Sequence, residues 1–153
     1  MEELVDIVDE NDKALYAATK EKAHKKGLLH RTVISEVINS KGKWMLVKQS
    51  KDRQDAGQYV SPIGGHIGTG ESEIDALKRE TFEEVGLKNF TYKFIGKAMF
   101  KRHVLKRIEN HFFIVYEIFL DENPKLNHES ESYKMFTKEE LKRKIKNNPK
   151  EFG

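Results

Sequence analysis

Cysteine is absent from the 153 residues, which excludes disulfides, thiolate metal sites and any mechanism needing a nucleophilic or acidic thiol. No stretch approaches the roughly 18 consecutive apolar residues of a membrane span. The opening Met1-Glu2-Glu3-Leu4 lacks the basic and apolar segments of a secretory signal, so a cytoplasmic protein with no membrane contact is expected. An excess of one charge is missing too: Lys plus Arg is 28, Asp plus Glu is 25 and the balance is +3. That balance is too small and too mixed to point to a nucleic-acid partner. Without an internal repeat, low-complexity tract or linker, residues 1–153 are expected to form one domain around one core.

Turn chemistry and periodicity divide the chain. Leu4 to Val8 alternates like a strand, and Ala14 to Ala17 reads as its return across Asp9-Glu10-Asn11-Asp12, a hairpin signal. Thr19 can cap a short basic helix that Gly27 stops, so residues 1–30 read as a hairpin and a helix. Thr32 to Ile38 and Trp44 to Gln49 form the clearest hairpin, and Ser50 to Gln58 is polar enough for a loop. A short strand at Tyr59 to Pro62 should end at a Gly-rich bend through Gly64, Gly65, Gly68 and Gly70. From Glu71 to Val85, Ile74, Leu77 and Val85 recur on one side, Ser72 stands at a capping position and Gly86 at a helix-ending one. Asn89 to Ala98 and Asn110 to Leu120 have strand character, and the basic run Lys101 to Arg107 between them reads as a loop. Tyr133 to Phe136 gives a last strand, and Thr137 opens a helix through about Ile145.

Within the central helix, Glu80, Glu83 and Glu84 stand at i, i+3 and i+4, which stacks three carboxylates on one face. Like charges at that spacing destabilise a helix by a few tenths of a kcal/mol per pair, so a cation that offsets the repulsion is expected. A hard divalent ion, Mg²⁺ or Mn²⁺, suits oxygen donors shared with substrate phosphates. A solvated acidic face is the commoner meaning of such a triplet taken alone.

The whole segment Gly65-x5-Glu71-x7-Arg79-Glu80-Thr81-x-Glu83-Glu84-x-Gly86-Leu87 resembles the Nudix box. The resemblance implies an α/β (α+β) fold, a Nudix-type α/β/α sandwich whose loop-helix-loop box lies against a mixed β-sheet. It also implies hydrolysis of a phosphoanhydride in a nucleoside diphosphate or triphosphate derivative by metal-assisted attack of water. By matching position, Glu80, Glu83 and Glu84 would bind the cation, the Gly64 carbonyl would add a ligand, Glu71 would support them and Arg79 would orient the cluster. Thr81 stands where the pattern usually carries an aliphatic residue; its hydroxyl can bond back to the preceding turn. The alternative reading is a nucleotide-binding module of the same fold without catalysis, against which the complete acidic set weighs.

Val5 to Asn11 and Ala23-His24 through His30-Arg31 resemble the branch that contains type 1 isopentenyl-diphosphate isomerase. That isomerase needs a cysteine where Gly64 stands and an acid where His111 stands, so the resemblance does not carry isomerase activity here. His24, His30 and His66 match positions of a separate isomerase metal site, to which Glu109 would add a ligand; the blander reading has His30 and His66 bonding loop backbone. Lys101, Arg102, His103, Lys106 and Arg107 are candidates for contact with a diphosphate substrate, Arg102 and Lys106 foremost, with His66. Glu129 and Glu131 precede the last strand where a loop acid assists water activation in the family. The resemblance also implies a homodimer.

Overall fold

The computed structural model describes residues 3–50, 57–104, 106–121, 125–126 and 130–152. β1 (Leu4–Val8) pairs antiparallel with β2 (Ala14–Thr19). The Asp9 carboxylate accepts from the backbone of Asn11 and Lys13 to close the turn, and Asp12 takes the left-handed conformation, φ 64°. α1 (Lys20–Lys26) starts where the Thr19 hydroxyl accepts from Lys22 N and stops at left-handed Gly27, as the sequence predicts.

β3 (His30–Ile38) is the central strand. It pairs with β4 (Trp44–Gln49) only through Val37↔Met45 and Ile38↔Trp44, so the expected hairpin opens almost at once. β4 goes on to pair with β5 (Tyr59–Val60). The first part of the segment expected as a Gly-rich bend is instead β6 (Ile63–His66), antiparallel to β3 with Ile34 opposite Gly64, and the chain turns only at Thr69-Gly70, with Gly70 at φ 79°. Glycines disfavour strands for want of a side chain to pack; here the bare backbone is what lets α2 (Glu73–Val85) lie close.

β7 (Thr91–Val104) and β8 (Arg107–Phe119) form one long antiparallel hairpin. Of the basic run, Lys101, Arg102, His103 and Arg107 are therefore strand rather than loop, with Lys106 in the turn. Arg102 lies directly across from Glu109 and donates to it at 2.6 Å, a cross-strand opposite-charge pair that keeps extended backbone favourable. β8 pairs parallel with β3 in unbroken register from His30↔His111 to Ile38↔Phe119. β9 (Ser130–Phe136) pairs antiparallel with β4, and α3 (Lys138–Asn147) opens on the Thr137–Glu140 capping box.

Among the described residues the result is a mixed sheet with three α-helices. Ala76, Leu77 and Val85 of α2 are buried with Val33 and Val37 of β3 and Ile114, Tyr116 and Ile118 of β8. Odd residues of β3 thus face α2, and by strand alternation the even ones face the other side. There Ala23 of α1 packs on Val5, Ile7 and Ala18 at one end, and Leu141 and Ile145 of α3 approach Glu36 at the other. Thr81 is fully buried and donates to Leu77 O at 2.6 Å, which satisfies the hydroxyl within the helix.

Candidate active site

α2 is seated by its first turn, where the Ser72 hydroxyl accepts from Asp75 N at 3.1 Å, and is stopped by Gly86 at φ 77°. Its apolar stripe fixes the rotation that brings Glu80 toward β6. Glu80 is only 8% exposed; a carboxylate so enclosed needs a partner, and Arg79 Nη1 donates to it at 2.5 Å.

Arg79 organises the whole loop. Nε and Nη2 donate to the two oxygens of Glu71 at 2.9 and 3.0 Å, Nη2 also donates to the His66 carbonyl at 3.0 Å, and Glu83 lies 3.7 Å from Nη1. The two-pronged grip on Glu71 is the planar guanidinium geometry that Lys lacks. Those hydrogen bonds, with that from Gly68 N, hold the Glu71 carboxyl below its usual range despite partial burial. The same grip raises Arg79 above its usual value.

The glycines open the space. A Cβ at Gly65 would lie 2.2 Å from Glu80 Oε1, closer than atoms can approach, so a side chain there would expel the carboxylate. Gly64 N donates to Glu84 Oε2 at 3.0 Å. A strand residue's N–H and C=O leave by the same edge, so the Gly64 carbonyl also faces the carboxylates rather than β3. Glu80, Glu83, Glu84 and Gly64 together wall a cleft of about 960 Å³. The donors are all oxygen, the set a hard divalent cation prefers.

Lys20, Arg107 and the unpartnered Thr32 hydroxyl line the same cleft. Arg102 and Lys106, expected beside the substrate, do not line it, and the hairpin register turns Arg102 onto Glu109 instead. Sequence reading ranked Arg107 below them and missed Lys20, because only the folded hairpin and α1 show which cations reach the cleft. Glu129 and the side chain of Glu131 lie outside the described residues.

Beside the cleft, His24, His30, His66 and His111 bring one ring nitrogen each within 4.8 Å of one another. The fourth member is His111 rather than Glu109, whose oxygens take Arg102 Nε and Arg107 Nη2 at 2.6 and 2.5 Å. The His30↔His111 register explains the convergence, a signal that exists only once two distant strands are paired. His30 Nδ1 lies 2.8 Å from Leu28 O and binds loop backbone as expected, yet His30 Nε2 and His111 Nε2 are buried without a partner. Burial lowers all four, His24 to about 4 and His111 to about 3. Neutral imidazole is the metal-binding form.

The NUDIX domain family model matches residues 28–152. An isopentenyl-diphosphate Delta-isomerase of Pectobacterium atrosepticum is 32% identical over 83 residues, 54% of this chain and 46% of that protein. The chain thus spans about half the length of that relative. A protein of Nostoc sp. described as an uncharacterized Nudix hydrolase is 32% identical over 129 residues, 82% of this chain and 74% of its own. Among solved structures, DR0079 from Deinococcus radiodurans superposes with a TM-score of 0.77 at 23% identity, over 95% of this chain and 90% of that one.

Proposed function

The chain belongs to the Nudix family, and from that premise we propose that it is a divalent-metal-dependent hydrolase of a phosphoanhydride bond in a nucleoside diphosphate or triphosphate derivative. The single observation that carries the reading is the convergence of Glu80, Glu84 and the Gly64 backbone on one cleft, made possible by the absent side chain at Gly65. Glu80, Glu83, Glu84 and the Gly64 carbonyl would hold Mg²⁺ or Mn²⁺. When bound, the ion supplies charge neutralisation at the phosphoryl oxygens and makes water more acidic.

The chain's own groups do the rest. Arg79 and Glu71 position the acids. Gly64 N–H orients Glu84, and the carboxylates supply a proton acceptor at the cleft floor. Lys20 and Arg107 present positive charge to the phosphate that leaves. Water oxygen bonds to phosphorus, the bridging P–O bond breaks, the water proton passes to a carboxylate, and a shorter nucleotide departs with phosphate or diphosphate. The isomerase relatives do not change this reading, since the chain has no cysteine.

The test is a phosphate-release screen over nucleoside diphosphates, triphosphates, nucleotide sugars and prenyl diphosphates with Mg²⁺ or Mn²⁺. Release from a nucleotide that EDTA abolishes is expected. Tight nucleotide binding with no turnover under any metal would instead assign a binding module.

The histidine set belongs to a second, softer site in this reading. Four nitrogen donors suit a late first-row ion rather than Mg²⁺. Co²⁺ is expected to give a visible absorption band on binding that His111→Ala weakens and His24→Ala with His66→Ala removes. An unchanged spectrum in the double variant would leave the cluster as buried hydrogen-bonding histidines.

A further inference from the structure

The acidic cleft accounts for the phosphates, and among the described residues no Phe, Tyr or Trp lines it to stack a base. β3 leads from this cleft to a second pocket. Its register with β8 is unbroken, so Thr32, Ile34 and Glu36 share the face opposite α2. Thr32 lines the cleft. Glu36 lines a smaller pocket of about 150 Å³ with Trp44, Tyr59, Ser61 and Phe152 among its walls. Thr32 and Glu36 are four residue steps apart along the strand, about 13 Å, the reach of a nucleoside with its diphosphate. A second stretch of chain makes the same connection, since Ser61 lines the pocket and Gly64 the cleft. Between the two, Ile34 raises the one β3 side chain on this face, and Gly64 opposite it raises none.

The pocket's size and walls narrow its occupant. A cavity of about 150 Å³ is the size that takes one six-membered ring, which favours a pyrimidine over a fused purine. Tyr59 is held edge-on to Phe136 at 5.5 Å and tilted to Phe152 at 6.0 Å, so its ring is fixed rather than free to collapse inward. Aromatic walls of this kind stack bases. Among the described residues the charged group in the wall is the Glu36 carboxyl, with Glu117 directly across in the β3–β8 register. Burial first, and Glu117 second, hold Glu36 above the usual carboxylate range. A carboxylate accepts from an exocyclic amine such as cytosine N4, whereas uracil offers a carbonyl oxygen there.

We propose that this pocket seats the base of the nucleotide and selects cytosine, with Glu36 accepting from the exocyclic amine between the rings of Trp44, Tyr59 and Phe152. The assignment rests on the nucleotide reading above and adds the base to it.

The test is calorimetric binding of CMP, UMP and AMP to the full chain, Glu36→Gln and Trp44→Leu, a readout that needs no turnover. CMP is expected to bind about tenfold tighter than UMP, and AMP more weakly than CMP. Glu36→Gln, whose amide both accepts and donates, should bring CMP and UMP within about twofold of each other. Trp44→Leu, which removes a wall and no acceptor, should weaken both alike. Equal binding of CMP and UMP to the parent, no binding of either, or an unchanged ratio in Glu36→Gln overturns the assignment. A kept CMP preference without phosphate release defeats the hydrolytic reading alone; turnover without base preference defeats the pocket alone.

Discussion

Glu84→Gln is expected to lower kcat by about 10²- to 10⁴-fold with the fold intact. The Glu84 carboxylate accepts from Gly64 N at 3.0 Å and lies at the edge where the Gly64 carbonyl also points. The amide can keep that hydrogen bond through its oxygen, so the local backbone has little reason to move. What it loses is the negative charge, and with it both a strong ligand for a dication and a proton acceptor for water. The measurement is steady-state phosphate release at saturating Mg²⁺, alongside a thermal melt. A variant that melts like its parent and turns over within a few-fold of it would remove Glu84 from the chemistry.

Gly65→Ala is expected to do comparable damage to activity by a different route. The added methyl would lie 2.2 Å from Glu80 Oε1 and 2.3 Å from Cδ, and β6 is held against β3 by the pairing of Gly65 with Val33. The Glu80 side chain is the part that can give way. Its displacement breaks the bond to Arg79 Nη1 and moves the most buried carboxylate of the cluster out of the cleft. Moving one positioned group by about 1 Å suffices for a loss of the order of 10²-fold. Stability should fall much less than activity, because the clash is with a side-chain terminus rather than with backbone. Parent-like turnover in Gly65→Ala would mean that Glu80 is not held where catalysis needs it.

Local rules made much of this legible from residues alone. Ser72 and Gly86 bound α2, Thr19 and Gly27 bound α1, and Thr137 with Glu140 opens α3, because caps are made by near neighbours in sequence. The acidic face of α2 was equally plain, since i, i+3 and i+4 are fixed by the helix itself. Thr81 behaves as its chemistry suggests, bonding to Leu77 O.

What sequence could not show depends on pairing between distant segments. β6 was hidden because Ile63-Gly64-Gly65-His66 has poor strand propensity and is strand only through β3. The charged end of the β7–β8 hairpin looked like a loop until Arg102 met Glu109 across it. His111 joins His30 only through a parallel pairing over eighty residues of intervening chain, and Lys20 reaches the cleft only because α1 is docked. In each case tertiary contacts override local preference.

The most direct measurement is an anomalous difference map from crystals of the full chain soaked in Mn²⁺. The account predicts a peak within coordination distance of Glu80, Glu84 and the Gly64 carbonyl oxygen, weakened in crystals of Glu84→Gln. A map with manganese only at the four histidines, and none at the carboxylates of α2, would contradict it.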